Sequence, residues 1–428
     1  MHVAVFVATF PVASQTFVIR QIAGLLSAGH EVTVLTCRWG GACAHDTYVR
    51  YGIEARVRAL RPRAATAGAR ARRIAGLLSG SAFRRGGPGR LAAALAALLH
   101  GSRRSVEDIA WAEARGHLGR YDAILAHFGP AGVRAMHLQR AALLEGPLAV
   151  AFHGVDMSRR QLLRQHRHGY RQLFECAGAL LPVSELWRAR LLEMGAPDSK
   201  ITVLPMGVDL ARLPPPAPWR PMHRPLRVLS VARMVEKKGL AYAIQGVMRT
   251  GQPVHYRIIG DGPLRGRLAA LARQAPAGTH IELLGVRSEQ EVAAALAWTD
   301  VFLLPSVTAD NGDMEGIPVS LMEAMAAGIP VLASRHSGIP ELVDHGVSGW
   351  LVPERDADAI ARVLSSVAAG TEPVARIRRA ARATIEARFD NTMLAGRLLD
   401  VLGRLARGQD APSCRTSTAG DPRMDSVL

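Results

Sequence analysis

The sequence predicts an α/β protein of two consecutive domains, each a parallel β-sheet covered by helices. Three observations predict it. Short β-branched runs alternate with helical stretches from the N-terminus, the pattern of βαβ units. A proline-rich segment, Leu213 to Pro225 (LPPPAPWRPMHRP), interrupts that alternation half-way. The alternation then restarts at once. With 428 residues, 49% hydrophobic and 21% charged, the chain has globular composition and enough length for a core in each of two domains.

His2 to Ala8 fits a strand buried on both faces. A loop from Thr9 to Thr16 leads into a helix with Val18, Ile22, Leu25 and Leu26 on one side, ending near Gly29. Glu31 to Thr36, Asp122 to His127, Leu148 to Phe152 and Ala179 to Val183 are the next strands, and Ile201 to Leu204 is expected to end the sheet. The pattern lapses between about Tyr51 and Arg115. Proline fixes φ and lacks an N–H, so 213–225 reads as a stiff linker. Beyond it, Arg227 to Val231, His255 to Ile259, His280 to Leu284, Val301 to Leu304 and Pro330 to Ala333 are strands. The expected division is 1–212, with a basic insertion at about 55–106, then 226–375, then C-terminal helices over 376–408 and a disordered polar tail over 409–428. Two such halves argue for Rossmann-like domains facing across a cleft. No short repeat period suggests a solenoid or propeller.

The formal net charge is +17, which points to nucleic acid, an anionic membrane surface or anionic substrates. Between Ala55 and Val106 lie twelve arginines and no acids, with Phe83 as the single aromatic. Nucleic-acid modules interleave aromatics for stacking, so the stretch favours a membrane surface over nucleic acid, beside the plain reading of an arginine-rich exterior. No apolar run approaches the ~20 residues of a membrane span, and the N-terminal HVAVFVATFPVA has no basic residue before it as a signal segment would. The four cysteines, Cys37, Cys43, Cys176 and Cys414, show neither a CxxC pair nor zinc-site spacing; free thiols and a reducing cytoplasm fit, rather than a disulfide framework.

Ligands of doubly wound sheets bind beyond the carboxyl ends of the strands, so the residues after each strand are the candidates. After Val301 to Leu304, Glu315 and Gly316 lead into a helical stretch containing Glu323. Eight residues on an ideal helix place the two carboxylates roughly 80° and ~12 Å apart. They cannot serve one atom, but they can hold two ends of an elongated ligand, with phosphate on the N–H groups of Gly316 and Ile317 between them. The spacing alone favours a capped surface helix with two solvated glutamates. After Arg227 to Val231, ARMVEKKGL offers Arg233 and Lys238, cations that could neutralise a leaving diphosphate or simply be solvated. After Leu148 to Phe152, HGVDM offers His153 and Asp156; His153 could donate to a sugar hydroxyl or act as acid or base, or be satisfied by the next turn. His127, ending the preceding strand, reads as structural. The first loop presents Ser14, Gln15 and Thr16 and lacks GxGxxG, so a dinucleotide cofactor is disfavoured. Asp310 and Asp313 are weak candidate metal ligands.

Together these stretches resemble family 4 glycosyltransferases. EGIPVSLME, Glu315 to Glu323, is similar to that family's E-x7-E motif, and VARMVEKKG to its diphosphate motif; His336 to Asp356 resembles the segment that follows. HGVD, MGVD (Met206 to Asp209) and FPVASQTFV look like the subgroup that builds exopolysaccharides, including colanic-acid-type enzymes. The resemblance implies a GT-B fold, a nucleotide-sugar donor, retention at the anomeric carbon, no cofactor and no essential metal. It implies that Arg233 and Lys238 hold the diphosphate, Glu315 orients the sugar, Glu323 the ribose, and Gly316 and Ile317 the phosphate. It places Val286 by the base and turns His153 toward the sugar from the N-terminal domain. A saccharide or polyprenyl-linked acceptor and a cytoplasmic enzyme, peripheral on the inner membrane face, are the corresponding expectations. A nucleotide-sugar epimerase and a non-catalytic sugar-nucleotide scaffold are the alternatives. The first would release free sugar without an acceptor.

Overall fold

The computed structural model describes residues 1–12, 15–43, 45–62, 103–213 and 221–409, with isolated positions between 68 and 97. Ser14, most of the arginine-rich stretch, the linker residues 214–220 and the tail from 410 lie outside the described residues.

Two six-stranded parallel sheets form the framework. The first contains β1 (His2–Phe10), β2 (Glu31–Trp39), β3 (Val57–Ala59), β4 (Ala123–His127), β5 (Leu148–Phe152) and β6 (Ala179–Pro182), in the order β3-β2-β1-β4-β5-β6. The second contains β7 (Leu226–Val231), β8 (Val254–Ile259), β9 (Thr279–Gly285), β10 (Val301–Leu304), β11 (Val331–Ser334) and β12 (Trp350–Val352), in the order β12-β11-β10-β7-β8-β9. Each sheet therefore begins in its middle and reverses direction once, the doubly wound arrangement. Val3 to Val7 of β1 and all of β10 are buried on both faces, as continuous apolar runs in parallel sheets require.

Two short edge strands, β3 and β12, were not among the expected elements. β3 falls inside the arginine-rich stretch; its Arg58 is exposed, and three residues carry no readable period. Ile201 to Leu204 is not a strand. It still lies along β6: Ile201 bridges Leu180, and the Thr202 and Leu204 N–H groups donate to the Leu180 and Pro182 carbonyls at 3.0 and 2.9 Å. Of the expected basic insertion, Arg61 faces inward, 3.0 Å from both Glu107 and Asp108. Cys37 and Cys43 are free thiols, whereas Cys176 is disulfide-bonded, against the all-thiol expectation. Among the described residues no helix is long and apolar enough to cross a membrane.

The chain separates into two compact units: Met1–Leu204 with the chain from Ala395 onward, and Pro205–Leu394. The last helix, Asn391–Ala406, thus starts in the second unit and continues into the first, where Leu398, Val401, Leu402 and Leu405 are buried. Arg397 donates to the Val203 carbonyl at 2.9 Å, and a Cβ on Gly24 would stand 3.3 Å from that of Ala395.

Candidate active site

In the second sheet the strand order reverses between β7 and β10, so the loops after these two strands mark the expected ligand site. Two glycines let the loop after β7 approach its neighbours closely, Gly239 against the loop after β10 and Gly260 from the loop after β8. Gly239 adopts φ +63°, and a Cβ there would stand 1.8 Å from the Pro305 carbonyl oxygen. Gly260, at φ +129°, would place one 2.0 Å from the Ala232 carbonyl oxygen. Gly239→Ala is therefore expected to lower the thermal midpoint sharply, since backbone oxygen cannot yield as a side chain could; an unchanged midpoint would show that the loops can separate.

The paired lysines have different tasks. The Lys237 ammonium donates to Asp313 at 2.9 Å and to the Met314 carbonyl at 3.0 Å, binding one loop to the other. Lys238 forms an ion pair with Glu315, 2.8 Å from ammonium nitrogen to Oε1, and both side chains are almost wholly buried. Burial opposes ionisation of Glu315, but the Lys238 charge and then that of Lys237 prevail and hold its carboxyl at about 2. Glu315 is thus a fixed negative charge at neutral pH, not a proton donor.

Its backbone is clamped as well. The Glu315 N–H donates to His336 Nε2 at 3.1 Å, and its carbonyl accepts from the Ser337 hydroxyl at 2.7 Å. An N–H can only donate, so Nε2 is the bare nitrogen of His336 and the ring proton sits on Nδ1, 2.6 Å from Glu354. Glu354 in turn accepts from the Thr308 N–H at 2.8 Å. Burial works to raise the Glu354 pKa, but the Thr308 N–H and His336 overcome it and lower the value. Lys237, His336, Ser337 and Glu354 were not expected at the site. His336 and Glu354 both lie in the segment resembling the family, but only the fold shows their task.

The Arg233 side chain is exposed and makes no ion pair or hydrogen bond among the described residues, although its charge is felt at Lys238. The N–H groups of Gly316 and Ile317 donate to no protein acceptor among the described residues. The helix expected to follow Gly316 begins only at Val319 and runs to Ala326, carrying half-buried Glu323. Glu315 thus precedes the helix that carries Glu323, and Pro318 at its N-cap disfavours helical geometry at Ile317. Val286, just past β9, is 74% exposed. Asp313 is committed to Lys237, which weakens its candidacy as a metal ligand. The ensemble can hold an elongated anion: cations and free N–H groups for phosphate, with a fixed carboxylate beside them to accept from hydroxyls.

In the first sheet the reversal lies between β1 and β4. His153 follows β5, half-buried, with its ring centroid 4.6 Å from Phe17 and 4.5 Å from Phe128. Its Nε2 is 3.1 Å from His127 Nδ1. Asp156, expected at the donor, is fully buried and accepts from three backbone N–H groups, Gly129 at 2.9 Å, His153 at 2.9 Å and Gly154 at 3.0 Å. A carboxylate so enclosed positions the His153 loop and does not meet a ligand directly. Gln15 is half-buried, its Oε1 without a hydrogen-bond partner among the described residues, and Thr16 opens the first helix.

His127 is fully buried, and burial pushes its pKa from 6.5 down to about 3. Burial and then the His127 ring also lower His153. For a base whose folded pKa is depressed, stability is complete above the unfolded value and is lost as pH falls toward the folded one. Unfolding free energy should therefore fall between pH 6.5 and about 3, by up to ~1.4 kcal/mol per pH unit for His127 alone, and the thermal midpoint should fall with it. His127→Gln should flatten that slope; an identical slope would remove His127 from the account.

Two doubly wound sheets in one chain, with a buried Lys238–Glu315 pair at the reversal point of the second, match the GT-B architecture of glycosyltransferases. Family models agree: residues 14–212 match "Glycosyltransferase Family 4" and residues 218–384 match "Glycosyl transferases group 1". WcaL of Escherichia coli K12, named for colanic acid biosynthesis, is 39% identical over 95% of this chain and 100% of its own. The amylovoran biosynthesis glycosyltransferase AmsK of Erwinia amylovora is 37% identical over 95% of this chain and 100% of its own. Among solved structures, Anabaena Alr3699/HepE with UDP-glucose is similar in fold, with TM-score 0.67 and 19% identity, covering 94% of this chain and 99% of its own. The chain belongs to glycosyltransferase family 4.

Proposed function

We propose that this glycosyltransferase moves a sugar from a nucleotide-sugar donor to a saccharide or lipid-linked acceptor during exopolysaccharide assembly, with retention at the anomeric carbon and without an essential metal. The observation that carries the reading is the buried Lys238–Glu315 pair at the reversal point of the second sheet, beside the free N–H groups of Gly316 and Ile317. The names of WcaL and AmsK support the polysaccharide context, and the UDP-glucose complex of the similarly folded HepE supports a nucleotide-sugar donor.

In this reading Lys238 and Arg233 face the diphosphate, with Gly316 and Ile317 donating to it. Glu315 accepts from donor-sugar hydroxyls and Glu323 from the ribose, while Val286 lies by the base. His153 and the loop of Ser14, Gln15 and Thr16 serve the sugar and acceptor from the N-terminal unit. Glu315 is tied to Lys238, which argues against its acting as the nucleophile of a double displacement. The favoured course is front-face departure. The bond from the anomeric carbon to the phosphate oxygen breaks, the acceptor oxygen bonds on the same face, and the acceptor proton passes to the departing phosphate. Lys238 and Arg233 stabilise the charge that develops there. The enzyme would work in the cytoplasm, peripheral on an anionic membrane face.

The test is a nucleotide-sugar panel read by nucleoside diphosphate release, with and without lipid-linked acceptors, in excess chelator, followed by assignment of the product anomer. Acceptor-dependent release with retained configuration and full chelator tolerance is expected. Release of free sugar without an acceptor would favour the epimerase reading. Strict metal dependence would return attention to Asp310.

A further inference from the structure

Away from the loops that carry this chemistry, β8 and the edge strand β9 hold a cluster of imidazole and carboxylate groups that sugar transfer does not use. The register sets His255 opposite His280 and Arg257 opposite Glu282. Residues two apart on a strand share a face, so all four side chains stand on one side of the sheet. His255 Nε2 lies 2.7 Å from one Glu282 oxygen, and His280 Nε2 lies 3.4 Å from the other. One ligand atom from each of the three residues falls within 4.8 Å of the other two. His255 and Glu282 are half-buried and His280 is exposed. The edge of the His255 ring meets Trp298 at 5.0 Å between centroids, which fixes its orientation.

We propose that His255, His280 and Glu282 form a binding site for a late first-row divalent cation, with zinc as the reference ion. A tetrahedral zinc with nitrogen and oxygen ligands at ~2.0–2.2 Å separates neighbouring ligand atoms by roughly 3.3 Å. The two imidazole-to-carboxylate separations, 2.7 and 3.4 Å, bracket that spacing and all three ligand atoms lie within 4.8 Å, so side-chain rotation is what the site needs to close on an ion. Two imidazoles select zinc, nickel or copper over magnesium or calcium. The opposing feature is Arg257, whose Nε donates to Glu282 at 3.0 Å. Its guanidinium also lies 4.1 Å above the Trp298 ring, which offers it a seat when a cation takes the carboxylate. The site joins the edge strand to its neighbour near their amino ends, so its effect is to hold that edge of the donor domain rather than to assist transfer.

The experiment uses the full chain stripped with chelator and then desalted. Zinc is titrated calorimetrically, cobalt(II) is followed by visible absorption, and magnesium serves as control; His280→Ala is the comparison because that side chain is exposed. Wild type is expected to bind zinc and gain a few degrees in thermal midpoint, with no response to magnesium. His280→Ala should bind zinc at least about tenfold more weakly and lose the cobalt absorption. Its metal-free midpoint and its transfer activity should match wild type. Equal zinc affinity in the two proteins, no zinc binding by wild type, or an equal response to magnesium would each overturn the proposal.

Discussion

Lys238→Ala should lower transfer by about 100- to 1000-fold, the effect of removing one preorganised charge from a developing anion. It should also destabilise the second unit. Lys238 is the direct counter-ion of a Glu315 that water hardly reaches, and stripping one partner from a buried pair costs ~3–5 kcal/mol. Lys237, whose charge also acts on Glu315, offsets part of that loss. Stability and catalysis therefore need separating. Lys238→Met combined with Glu315→Gln leaves no buried unpaired charge, so its thermal midpoint should recover toward wild type while transfer stays low. Near-wild-type turnover in Lys238→Ala would sink the assignment, and so would recovery of transfer in the double variant.

His336→Ala should lower kcat by about 100-fold with a much smaller change in KM. His336 is buried and touches Glu315 through the backbone, so its role is to position that residue. Without the ring, the Glu315 N–H loses its acceptor and Glu354 Oε1 keeps only the Thr308 hydroxyl, so the Glu315 loop is free to shift. A misplacement of about 1 Å in a reacting array is worth roughly 100-fold. His336→Gln can accept at one end of its amide and donate at the other, so it should restore part of kcat. A kcat within twofold of wild type in His336→Ala would show that the clamp does not matter.

The difference between these two residues shows what the sequence could disclose. Lys238 and Glu315 were both legible, because each follows a recognisable strand and lies in a patterned segment. Their pairing was not, since it depends on β7 and β10 lying side by side, and nothing local encodes that adjacency. His336 was hidden for a similar reason: it follows β11, and only the sheet order brings it against the loop after β10. An acidic residue after a strand looks the same in sequence whether it awaits a ligand or, as Asp156 does, ties down backbone N–H groups. Long apolar strands such as β1 and β5 could be read directly from their side chains. β3 and β12, three residues each, could not.

The helix Asn391–Ala406 has a consequence for synthesis. The N-terminal unit is finished by residues made after the whole of the other unit. During translation its sheet can assemble early, but the surface covered by Leu398, Val401 and Leu402 stays open until that helix has been made. Cutting the gene at the proline-rich linker would leave that surface permanently bare. A circular permutant that begins near Pro205 and joins the old termini would bring the helix to its unit as a near neighbour in sequence.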